Sequence, residues 1–158
     1  MTRVDTNAFN HEPLAMHATL THLFIKAAHK QPMVPKENVS AISLKGLEGD
    51  VAFGKRRRQV LLIEGETLEE FDLQPGMVRE NGVTRGIVLA GMAQGTRLRV
   101  GRAVLEVTMD CEPCPFMETL RPGLEKAMDG RRGTLFKVVE GGPISIGDSV
   151  EVSEVVTA

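Results

Sequence analysis

Tryptophan and tyrosine are missing from this chain altogether, and the aromatic content is only 4%. Proteins that read single-stranded nucleic acid stack bases on aromatic side chains along a basic groove. Neither half of that arrangement is present, because 19 Lys and Arg stand against 21 Asp and Glu. The near balance gives no field of one sign over the surface, so nucleic acid and membrane are not expected as partners, and any anion site must be built locally. Long apolar runs are also lacking. The N-terminal stretch MTRVDTNAFNHEP is polar, and the nearest apolar run, Leu23 to Ile25, is far too short for a signal h-region or a membrane span. The expected location is therefore the cytoplasm. Cysteine is scarce as well, with 2 residues, both inside DCEPCPF, Asp110 to Phe116. In a reducing compartment such a pair is expected as free thiols with a reactive or metal-binding role, not as a structural staple.

What is present suits one compact domain. The chain has 158 residues, 42% of them hydrophobic, enough for a single ordinary core. Residues 1–13 lack hydrophobic periodicity and read as a flexible N-terminal segment, leaving 14–158 as the domain. LTHLFIKAA fits a helical stripe through Leu20, Leu23, Phe24 and Ala27 as well as it fits a buried strand, and Pro32 and Pro35 end it either way. VSAISLKGLEGD reads as a strand entering a tight turn. RQVLLIEGETLEEF starts as a buried strand at Val60 to Ile63 and continues as a short helix over Thr67 to Phe71. TRLRVGRAVLEVTM alternates apolar and polar residues on both sides of Gly101 and Arg102, which predicts a hairpin. RPGLEKAMDG predicts a short helix closed by Gly130, and TLFKVVEGGPISIGDSVEV predicts two strands joined by Gly141 and Gly142. Many short strands, glycine turns and brief helices argue for a mainly β, barrel-like fold.

The cysteine motif admits several readings. Zinc wants about four ligands, and besides the pair the chain offers only His11, His17, His22 and His29, crowded toward one end. A thioredoxin-like pair would open a helix after the first strand of a βαβ unit, whereas this one follows a hairpin late in the chain. An inert buried pair and an incidental surface loop stay open. The functional reading is a thiol presented from a stiff loop: Pro113 and Pro115 fix φ on both sides of Cys114 and remove two backbone donors. A thiolate works as nucleophile or metal ligand when cations lie nearby. The local acids do not provide them, and KRRRQ, Lys55 to Gln59, is the evident source unless it is simply a solvated charge run.

Taken in order, GLEGD (Gly46 to Asp50), RQVLLIEGE (Arg58 to Glu66), PGMVREN (Pro75 to Asn81), RLRVGRAVLEVT (Arg97 to Thr108), CEPC and GRRGTLFKVVEGGPISIGDSVEV resemble the MOSC domain, the C-terminal domain of molybdenum cofactor sulfurases and its stand-alone relatives. The likeness runs from about Leu20 to Val152. It implies a β-rich barrel domain that binds the molybdenum cofactor (molybdopterin) or carries sulfur to it. In that family the cysteine after proline is the key residue, which matches Cys114 as a molybdenum ligand or as the bearer of a persulfide; soft thiolate chemistry suits both. On the matching segments Arg58, Arg79 and Asn81 are apt donors for phosphate and pterin, with Arg131 and Arg132 as further candidates. The resemblance thus implies a reductase component for N-hydroxylated compounds served by an electron-transfer protein. Its alternatives are a sulfur carrier served by a cysteine desulfurase, and a binding module without catalysis. Cys111 is either a resolving thiol for Cys114 or a spacer. One departure stands out: Val51, Ala52 and Phe53 follow the GD turn where family members often carry histidine or small polar residues.

Overall fold

The structure is a computed structural model that describes residues 17–155; the flexible segment expected over 1–13 lies outside those residues. Eleven strands among the described residues form two sheets. The larger has the order β11-β7-β8-β9-β5-β6-β1-β2 and the smaller β10-β3-β4. The strands run β1 Thr19–Ile25, β2 Val34–Pro35, β3 Asn38–Ile42, β4 Gly46–Leu47, β5 Val60–Glu64, β6 Gly82–Arg85, β7 Arg97–Val100, β8 Ala103–Asp110, β9 Thr134–Glu140, β10 Gly142–Ser145 and β11 Val150–Glu154. Three short helices accompany them: α1 Gly65–Glu70, α2 Phe116–Leu120 and α3 Leu124–Ala127. None is long and apolar enough to cross a membrane.

The mainly β expectation holds. The large sheet curls without closing into a barrel: β1 reaches the segment before β11 through one isolated bridge, Thr19 to Ser149, and through the Leu20 N–H donating to the Asp148 carbonyl at 2.9 Å. The predicted hairpin is β7-β8, paired from Arg97–Glu106 to Val100–Ala103. LTHLFIKAA resolves as strand β1, paired antiparallel with β6 and β2. The final stretch holds three strands where two were expected, and β9 and β10 do not pair with each other. β10 leaves the large sheet to pair with β3, so Gly141 and Gly142 serve a crossing between sheets. A Cβ on Gly141 would stand 2.7 Å from the Ala41 carbonyl, so close backbone approach is what requires glycine there.

β5 is the central strand, and all five of its residues are buried. Alternation sends Val60 and Leu62 into the main core with Leu20, Leu98, Leu105 and Phe136, while Ile63 packs under the helices with Leu68, Met117 and Met128. Leu61, on that second face, packs with Cys111 and Leu135. The three clusters meet at β5, and the smallest of them forms one wall of the cleft described next.

Candidate functional site

A cleft of about 280 Å³ opens where the end of β1, the turn after β4, the start of β5, the approach to β6 and the loop after β8 converge. Its cationic lining is Lys26, Arg58, Arg79 and Arg132, and its acids are Asp50 and Glu112. Both cysteines open into it. Cys111 is buried against Leu61 and Leu135, whereas Cys114 is half-buried, and both are free thiols. The Met117 N–H donates to the Cys114 carbonyl at 2.9 Å and Pro115 stands at the N-cap of α2, so the loop turns directly into a helix after the thiol.

The floor of the cleft is a hydrogen-bond clamp. Asp50 Oδ1 accepts the Lys26 N–H at 2.7 Å and the Asn81 Nδ2 at 3.0 Å, and its Oδ2 accepts the Ala52 N–H at 2.9 Å. Asn81 Nδ2 also donates to the Phe24 carbonyl at 3.2 Å, and Asn81 Oδ1 accepts the Leu61 N–H at 2.9 Å. Together they tie β1, the GD turn and β5 to the start of β6. The carboxylate of Asp50 and both ends of the Asn81 amide are thereby committed to the protein. Gln59 is committed in the same way, donating to the Leu44 and Lys55 carbonyls and accepting the Val138 N–H.

Arg132 differs from all of these. It is 6% exposed, yet its Nε and Nη1 have no hydrogen-bond partner. A buried guanidinium without partners is costly, and among the lining cations it is the one whose unpartnered donors are buried. Arg79 adds a second charge. Its φ of 65° puts a non-glycine residue in the left-handed region, and its guanidinium lies 6.0 Å above the Phe116 ring. Lys26 has its pKa lowered, first by burial and then by Arg79, while Asp50 and Cys111 act to keep it charged and Arg132 opposes them. Just behind the cleft, Glu80 is 0% exposed with Oε1 unpartnered, and burial raises its pKa to about 7 against the Arg132 charge and the N–H groups that bond it.

Of the residues singled out from the sequence, Cys114, Arg58, Arg79, Asn81 and Arg132 line this cleft. Asn81 faces it with a side chain already spent on the clamp. Arg131 lies elsewhere: it forms a bidentate pair with Glu70 at 2.7 and 3.2 Å, above the Phe71 ring, in a depression lined by Glu64 and Glu66. Of the basic run, Arg58 reaches the cleft, while Arg57 turns to donate to the Thr108 carbonyl at 3.3 Å. Reading the sequence missed Lys26, for which the only signal was a cation closing an apolar strand, and missed that Asp50 braces the site. Val51 to Phe53 sit at the rim, with Ala52 in the lining and Phe53 exposed.

A β-rich domain with a thiol at the mouth of a small cationic cleft is what this chain builds. The MOSC domain profile matches residues 48–151, and the chain belongs to the MOSC domain family. That makes it a molybdenum-cofactor-related domain. Solved structures similar to it include the YUAD protein from Bacillus subtilis, with TM-score 0.73 and 18% identity over 86% of this chain and 95% of that one. YiiM from Geobacillus stearothermophilus gives TM-score 0.68 and 18% identity over 87% and 75%. YiiM from Escherichia coli gives 0.65 and 21% over 89% and 72%. At such identities these structures share the fold. No curated protein matches the sequence.

Proposed function

We propose that the cleft binds the molybdenum cofactor, with Cys114 supplying a thiolate to the metal and Arg132, Lys26, Arg79 and Arg58 receiving the anionic phosphate. The observation that carries this reading is Arg132: two buried donors without partners, in the same cleft as a half-buried thiol and three further cations. The donor set fits an anionic, soft-metal group. Among the described residues no cluster of three or more Cys, His, Asp or Glu side chains forms, and Cys114, the more exposed of the two thiols, is the residue that would hold the metal. When bound, the cofactor supplies two-electron chemistry at the metal. The chain itself orients it: the Asp50–Asn81 clamp holds the backbone of the floor, Pro113 and Pro115 hold the thiol, and Arg132 neutralises charge where water is sparse. Turnover as a reductase component for N-hydroxylated compounds then draws electrons from a partner protein. The test is elemental analysis for molybdenum and zinc on protein from a cofactor-producing host, beside Cys114→Ala prepared identically. Molybdenum lost only in the variant supports the reading; metal-free protein in both overturns it.

A second reading is favoured by one observation, the presence of Cys111 in the same cleft. In it Cys114 accepts sulfane sulfur from a cysteine desulfurase and passes it on, with no tightly bound metal. Incubation with a desulfurase and cysteine should then leave Cys114 one sulfur heavier, and an unchanged mass refutes it.

A further inference from the structure

Cys111 is idle in the metal-binding reading, and its surroundings are unusual for an inert core thiol. It is 6% exposed and packs against Leu61 and Leu135, yet it lines the cleft together with Cys114. Its backbone is fixed by its N–H donating to the Gly133 carbonyl at 2.9 Å, next to Arg132. Its sulfur has only a weak contact, 4.0 Å from the Glu112 carbonyl. Lys26 lines the same cleft. Gly133 cannot readily become another residue, because its φ is +116° and a Cβ would lie 2.9 Å from both Leu61 Cδ1 and the Leu62 carbonyl. The anchor of the Cys111 backbone is thus fixed by close packing against β5.

We propose that Cys111 is the resolving thiol of Cys114, converting a persulfide on Cys114 into hydrosulfide and an internal Cys111–Cys114 disulfide. The inference rests on the sulfur-carrier reading and deepens it. The Cys111 thiolate attacks the inner sulfur, Sγ of Cys114; a new bond forms between the two Sγ atoms while the bond to the terminal sulfur breaks. The terminal sulfur leaves with the bonding pair as hydrosulfide, so the sulfane sulfur is reduced and the two cysteines are oxidised together. Lys26, Arg79 and Arg132 line the same cleft and supply positive charge for the departing anion. A dithiol reductant of the thioredoxin class then returns the pair to two thiols. Cys111 acts as the buried partner and Cys114 as the accessible one, an order set by their exposures.

The experiment uses the full chain. Reduced wild type, Cys111→Ser and Cys111→Ala are loaded with a cysteine desulfurase and cysteine, freed of excess reagent, and followed by intact mass under non-reducing conditions together with released sulfide. Wild type should lose the extra sulfur, end two hydrogens lighter than the dithiol protein and release about one sulfide per chain. Both variants should keep the extra sulfur on Cys114 at least about tenfold longer, because the attacking thiol is no longer held at the site. The alanine variant suits the apolar wall and guards against a serine that disturbs packing. Equal persulfide lifetimes in wild type and both variants, or sulfide release without the disulfide, overturn the proposal. No sulfur adduct on either variant overturns the carrier reading itself, and the inference falls with it.

Discussion

Glu80→Gln should abolish a pH dependence of stability that runs against the usual behaviour of carboxylates. Glu80 is 0% exposed, its Oε2 accepts the Gly76 N–H at 2.5 Å, and its Oε1 has no partner. Burial dominates the hydrogen bonds and the Arg132 charge, and lifts its pKa from 4.5 to about 7. The folded state therefore holds the proton more tightly than the unfolded chain. Below pH 4.5 the carboxyl is protonated in both states and costs nothing. Between 4.5 and about 7 the unfolded chain ionises first, so stability falls as pH rises, and above 7 the loss is complete. Each tenfold difference in proton affinity is worth about 1.4 kcal/mol, so the whole loss is about 3 kcal/mol. The assay is urea unfolding of wild type and Glu80→Gln at pH 5, 6, 7 and 8. Glutamine keeps the shape and an acceptor for Gly76 but cannot ionise, so subtracting the two curves cancels every other titrating group. Part of that loss is already present at pH 5, so the stability of the variant relative to wild type should grow by about 2.5 kcal/mol from pH 5 to pH 8. With a slope of about 2 kcal/mol per molar urea, that is a relative shift of about 1.2 M in midpoint. A difference that stays flat across the range would show that Glu80 is charged in the fold throughout and would refute the reasoning.

Two further perturbations separate the scaffold of the cleft from its ligand-facing charge. Asp50→Ala removes the acceptor of three hydrogen bonds, two from backbone and one from Asn81, and leaves one buried and two partly buried donors without it; thermal and urea unfolding should show about 2 to 4 kcal/mol lost, and a loss below about 1 kcal/mol would mean the clamp does not hold the floor. Arg132→Met removes a buried guanidinium whose Nε and Nη1 bond nothing in the protein, so the fold should keep its stability while affinity for inorganic phosphate, followed by titration calorimetry, drops at least about tenfold. A variant that loses stability and keeps the affinity would place Arg132 in the scaffold.

What could be read from the sequence divides along a physical line between local and long-range causes. The β7-β8 hairpin was legible because one face of it is polar and glycine stands at its turn. β1 was ambiguous for the opposite reason: Leu23 and Ile25 enter the main core while Phe24 enters the cluster under the helices, so three consecutive residues are buried and the period of two disappears. β6, only four residues long and opened by Gly82, has no signal of its own; it is a strand because β5 lies parallel to it and β1 antiparallel. The same division governs the cleft. Cys114 stood out because its constraint is written into its neighbours, Pro113 and Pro115. Arg131 and Arg132 are adjacent and chemically identical, and their fates are opposite because Glu70 of α1 captures the first while the second turns inward. Asn81 looked like a ligand donor because an amide is chemically apt, but its partners, Phe24, Asp50 and Leu61, come from three distant segments. A polar residue's availability is thus a property of what the fold has already bonded to it. In this cleft the side chains that the fold has not bonded, Lys26, Arg79 and above all the buried Arg132 among the cations, together with the two thiols, are the ones on which a functional argument can rest.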